Sequence, residues 1–92
     1  MSKAAARHIL VKTETECNDL KAKIAAGEKF EDLAKKHSLC PSGRQGGALG
    51  TFSRGQMVPE FDRVVFNEEV GKVHGPVKTQ FGYHLVEVTM RS

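Results

Sequence analysis

Apolar positions gather in two short runs near opposite ends of the chain, His-Ile-Leu-Val-Lys at 8–12 and Phe-Gly-Tyr-His-Leu-Val-Glu-Val at 81–88. Both are too short for a helix that must bury a face and are rich in β-branched residues, so each predicts a strand. Ile9 and Val11 alternate with Leu10, and Val86 and Val88 with Leu85, which puts apolar side chains on both faces. That pattern belongs to central strands covered on two sides. Each run also carries one histidine, His8 or His84. If the two strands pair, the imidazoles can meet in the middle of one sheet. A single histidine on an apolar strand is more often a satisfied core residue than a catalyst. A buried pair is a polar expense that a small domain seldom carries without a use.

Between these runs the periodicity changes. Thr13 or Thr15 can cap a helix over 16–26, with Cys17, Leu20 and Ile24 at helical spacing and Gly27 as its stop. In a second helical segment Phe30, Leu33, Ala34 and His37 share one face. Residues 40–47 hold three glycines and a proline, so they predict a loop or one irregular turn. Gly50 and Gly55 extend that permissive backbone. Pro59 suits the first turn of a third helix with Phe61, Val64 and Val65 as its stripe. Gly71 and Gly75-Pro76 mark a turn before Val77-Lys78-Thr79. The order is β-α-α-loop-β-α-β-β, a mixed sheet covered by helices in a single domain spanning 1–92.

Composition narrows the function. The 92 residues suffice for one core. No stretch after Met-Ser-Lys-Ala-Ala-Ala is apolar enough for a signal peptide or membrane span, and Cys17 and Cys40 are too few for a disulfide framework, so a cytoplasmic setting without membrane contact is expected. The 14 Lys and Arg are interspersed with 11 acids, a solubilising surface rather than a nucleic-acid footprint. The glycines lack the spacing of a phosphate cradle, and the cysteines and histidines lack that of a zinc site.

One chemical combination remains. Met57, Phe61 and Phe81 can line a deformable apolar pocket about the size of one small ring, with Leu49 or Phe52 closing it. His8, His84, Cys40 and the Thr79 hydroxyl would lie beside it. Taken singly, each Met or Phe is more often plain core.

The sequence resembles the parvulin family of peptidyl-prolyl cis/trans isomerases. The likeness rests on residues 8–12, on Phe-Glu-Asp-Leu-Ala-Lys-Lys-His-Ser at 30–38, on Gly-Gly-Ala-Leu-Gly-Thr-Phe-Ser-Arg-Gly-Gln-Met-Val-Pro-Glu-Phe at 46–61 and on Gly-Pro-Val-Lys-Thr-Gln-Phe-Gly-Tyr-His-Leu-Val at 75–86. It covers essentially the whole chain and is greatest to the small stand-alone bacterial members. It implies an α+β, parvulin-like (FKBP-like) fold: a four-stranded antiparallel sheet surrounded by about four helices. It also implies that Met57 and Phe61 hold a substrate proline ring, with Leu49 and Phe81 at the wall and Gln56 bordering the peptide groove. His8 and His84 match the family's paired sheet histidines, Thr79 a hydroxyl bonded to them, and Cys40 a position the family fills with cysteine or aspartate. Because aspartate is a poor nucleophile toward an amide, an electrostatic or hydrogen-bonding role for Cys40 is favoured over a covalent one. Cys17 reads as inert packing.

The implied reaction is rotation about X–Pro bonds in unfolded or partly folded clients, by a monomer with no cofactor. The alternative is a peptide-binding chaperone module with little catalysis. Phosphate-directed members carry paired arginines shortly after the first strand. Here that segment reads Thr-Glu-Thr-Glu-Cys-Asn-Asp at 13–19, an acidic loop with Lys12 as its nearest cation, so unphosphorylated X–Pro is the expected substrate.

Overall fold

The computed structural model describes residues 3–92; Met1 and Ser2, where the chain was expected to start without a signal segment, lie outside the described residues. Strand β1 (Lys3–Val11) is followed by helices α1 (Glu14–Ala25) and α2 (Phe30–His37), then a 3-10 turn (Pro41–Gln45). Strand β2 (Ala48–Ser53), helix α3 (Pro59–Asn67), and strands β3 (Val73–Thr79) and β4 (Gly82–Arg91) complete the chain.

The sheet order is β2-β1-β4-β3 and every pairing is antiparallel, so the sheet is not mixed. The first and last strands are central partners, with Leu10 opposite His84 and His8 opposite Val86. Among the described residues there are three α-helices rather than about four, because the Gly- and Pro-rich stretch after α2 closes only a 3-10 turn.

Strand alternation builds two cores. Ile9, Val11 and Leu85 face Cys17 and Leu20 of α1 and Phe30, Leu33 and Ala34 of α2. Ala4, Ala6, Val86 and Val88 face Phe61, Val65 and Phe66 of α3, together with Phe52. Thr13 caps α1: its hydroxyl accepts from the Glu16 amide at 3.2 Å and donates to the Glu16 carboxylate at 3.2 Å. The helix therefore starts at Glu14, and all of the acidic segment 13–19 after its cap is helical instead of a loop. His37 is exposed in the last turn of α2, and Phe66 replaces Val64 on the buried face of α3. Gly75-Pro76 lies inside β3, at a break in register between His74 and Val77, rather than at a turn.

Arg7 fastens α2 to the sheet. Its guanidinium lies over the Phe30 ring at 5.0 Å, bonds Glu31 at 2.9 Å and pairs with Glu87 of β4. Burial of apolar surface dominates the packing energy here, and this half-exposed network mainly fixes the seat of α2.

Candidate active site

His8 and His84 lie diagonally across the β1–β4 pairing on the face that also carries α3. Their rings are nearly parallel, 17° apart, with Nδ1 to Nδ1 at 3.0 Å. His84 Nε2 lies 2.7 Å from the Thr79 hydroxyl, and His8 Nε2 lies 3.2 Å from the Ser42 hydroxyl. The result is one polar line, Thr79–His84–His8–Ser42, crossing the sheet. An Nδ1···Nδ1 bond needs one donor and one acceptor, so it suits two neutral imidazoles of opposite tautomer, one protonated at Nδ1 and the other at Nε2. Burial, reinforced by the neighbouring His84, pushes His8 down to about 4, and burial also lowers His84. Both rings are therefore uncharged at neutral pH.

The chain around this pair is tightly placed. The His8 amide donates to the Gly47 carbonyl at 3.0 Å. Gly47 has φ +85°, and a Cβ there would lie 2.3 Å from the His8 carbonyl oxygen, so only glycine lets the segment after the 3-10 turn approach β1 so closely. On the other side of the site, the Leu39 amide donates to the Leu10 carbonyl at 2.8 Å. The Ser38 hydroxyl accepts from the amides of Leu10 and Cys40. These bonds lash residues 38–40 to β1 beside His8.

Above the pair opens a cavity of about 400 Å³. Its base is formed by the buried His8, His84 and Phe61, the phenyl ring standing edge-on to both imidazoles at 5.7 and 6.1 Å. Leu49, Met57 and Val58 give it an apolar wall, and Leu10, Cys40 and Pro41 another. Leu39, 55% exposed, and Phe81, 62% exposed, stand at the mouth. A pocket of this shape takes one compact apolar ring with a polar atom near its base.

A family model for the PPIC-type PPIase (rotamase) domain matches residues 3–90. The chain belongs to the PPIC-type peptidyl-prolyl isomerase family. It is 48% identical over 88 residues to the foldase protein PrsA of Geobacillus kaustophilus, covering 95% of this chain and 31% of that protein. The chain thus spans about a third of the length of the curated relatives it matches. The crystal structure of the peptidylprolyl isomerase PrsA from Bacillus anthracis superposes with a TM-score of 0.96 at 37% identity, over 99% of this chain and 42% of that one. The solution structure of the parvulin of Nitrosopumilus maritimus matches at TM-score 0.85 and 38% identity, over 96% of each chain.

Within this PPIC-type domain, the residues singled out from sequence separate into three groups. His8, Cys40, Leu49, Met57, Phe61, Phe81 and His84 all line the cavity. Thr79 lies behind it, buried, anchoring His84 and accepting from the Phe81 amide at 3.2 Å. Phe52 and Gln56 are not on its wall. Phe52 is packed in the core against Phe61 and Phe66, ring centroids 6.2 and 6.1 Å away. Gln56 is exposed and accepts from the Ser53 amide at 2.6 Å, stitching its own turn. The reading of sequence overlooked Ser42, Leu10, Leu39, Pro41 and Val58. Leu10 was within reach, since alternation places it on the face of His8. Ser42, one serine in a Gly/Pro-rich turn, gives no periodic signal.

Cys40 faces the cavity, but both ring nitrogens of His8 are engaged by other partners. No imidazole is thus aligned to take the thiol proton. Among the described residues, no three His, Cys, Asp or Glu side chains converge as metal ligands would.

Proposed function

We propose that residues 1–92 act as one monomeric prolyl-isomerase domain, accelerating cis/trans rotation of unphosphorylated X–Pro bonds in client segments. The observation that carries this reading is the apolar cavity whose base is a neutral, hydrogen-bonded histidine pair. Met57, Phe61 and Leu49 would grip the proline ring while the peptide on its N-terminal side turns. Rotation faces a barrier of ~20 kcal/mol because twisting destroys amide resonance. Bringing exchange from minutes to milliseconds requires about 10⁵-fold, roughly 7 kcal/mol. The twisted amide is less polar than the planar one, so a dry apolar cavity favours it relative to water. Cys40 contributes a weakly polar group beside the turning carbonyl, and His8 and His84 hold the base of the cavity in one shape. Its two cysteines are both free, which suits a reducing, cytoplasmic setting.

The exposed Leu39 and Phe81 favour a second reading, client holding with little catalysis, in keeping with the foldase relatives. NMR exchange spectroscopy on a short X–Pro peptide separates the two without a coupled protease. EDTA-treated protein should accelerate exchange by orders of magnitude; exchange at its uncatalysed rate would leave only the holding role.

A further inference from the structure

Beside the proline cavity lies a second hollow of about 350 Å³, flanked by Lys35 of α2 and Arg44 of the 3-10 turn, with Ser38 in its lining. It shares Leu39, Cys40 and Pro41 with the proline cavity, so the two are neighbours on either side of one wall. Their chemistry differs. No charged side chain lines the first, its two histidines being neutral, whereas two cations border the second. Both are exposed, and among the described residues neither enters an ion pair. Glu31 of α2 turns instead toward Arg7. The hollow therefore offers an unneutralised positive potential next to the bound proline.

We propose that this hollow is a subsite for a carboxylate side chain of the client, two or three residues from the proline. The proposal rests on the isomerase reading and adds a determinant of client choice. Because the two hollows share Leu39, Cys40 and Pro41, a segment leaving the proline cavity over that wall enters the second within a few residues, an extended peptide advancing about 3.4 Å per residue. A Glu or Asp there would face both Lys35 and Arg44. Exposed ion pairs are individually weak, so the two together should give roughly three- to tenfold tighter binding.

The test is an NMR titration of the full chain with an Ala-rich X–Pro peptide series, Glu or Gln replacing Ala at each position up to four on either side of the proline. The same samples report Kd and exchange rate. Expected is one position, two or three residues from proline, where Glu binds roughly three- to tenfold tighter than Gln. The preference should fade at about 0.5 M salt, vanish in the Lys35→Ala/Arg44→Ala double variant and persist in Lys23→Ala, which removes a cation from α1 instead. Equal binding of Glu and Gln at every position, or a preference that survives the double variant, would overturn the subsite. Phosphoserine exceeding Glu more than about tenfold at that position would overturn the carboxylate assignment. A Glu preference in Kd without accelerated exchange would uphold the subsite while removing the isomerase reading, and no binding by any peptide would overturn both.

Discussion

His8 and His84 link chemistry to stability through their protonation. Each folded-state pKa is lowered, so the unfolded chain binds protons more readily than the native one as the pH falls below about 7. Stability from their neutral burial is complete above the unfolded value of 6.5 and is lost as the pH drops through it toward about 4, where His8 finally titrates. For His8 alone the loss amounts to about 3 kcal/mol, a large share of a small domain's stability. Urea-unfolding midpoints should therefore fall steadily between about pH 7 and 5, a range too high for most carboxylates to be responsible. A midpoint constant over that range would mean the pair is not buried neutral. Turnover should stay flat between about pH 6 and 8, because His8 titrates only near 4 and burial lowers His84 as well. Substitution at position 40 probes the other polar group: Cys40→Asp should retain much more exchange activity than Cys40→Ala. Equal activity of alanine and cysteine would remove any chemical role for the thiol. Met57→Ala opens the cavity wall and should weaken peptide binding and turnover together, by roughly tenfold or more, since truncating a well-packed apolar side chain costs about 2 kcal/mol.

Between the elements, the close approach of the β2 entry to β1 is the most sensitive contact. Gly47→Ala would drive a methyl against the His8 carbonyl at a positive φ, so the expected result is destabilisation of about 2 kcal/mol or more and a changed chemical shift for the His8 ring. Gly50→Ala has no neighbour within 4 Å and is the control: it keeps the φ strain without the clash and should disturb the His8 signal far less. The central place of the first and last strands was legible because their apolar residues lie on both faces; that the two strands pair with each other and bring His8 against His84 was open in the sequence and is shown by the β1–β4 register. The helix stripes were legible wherever burial was uniform, as at Phe30, Leu33 and Ala34. Where a residue's surroundings depend on distant elements, sequence period alone misled. Phe52 looks like a pocket wall until α3 is seen to bring Phe61 and Phe66 against it. His37 continues the α2 stripe, but the 3-10 turn packs on Ala34 and Ser38 and leaves the His37 side chain exposed. Ser42 enters the site only because the 3-10 turn bends back to His8.

At the scale of the whole molecule, the sheet divides the protein into unlike halves. One face is sealed by α1 and α2; the other, under α3, keeps its cavity open between Leu39 and Phe81. The acids Glu14, Glu16 and Asp19 ride on α1, and none lines the cavity, nor does any cation. Phosphorylation of the residue immediately before proline would place nearly two negative charges at an apolar rim. Two effects then oppose binding: loss of hydration at Leu39 and Phe81, and repulsion from α1. They differ in their response to salt, since exposed charges are screened beyond roughly 8 Å at physiological ionic strength whereas a desolvation penalty is not. Comparing one peptide as Ser-Pro and phosphoSer-Pro at low and high salt should show a kcat/KM severalfold lower for the phosphorylated form. Because the acids lie off the cavity, most of that deficit should persist in high salt. A deficit that disappears with salt would assign it to α1. A preference for the phosphorylated peptide would show that Lys12, Arg44 or Arg54 reaches the rim and would remove unphosphorylated X–Pro as the substrate class.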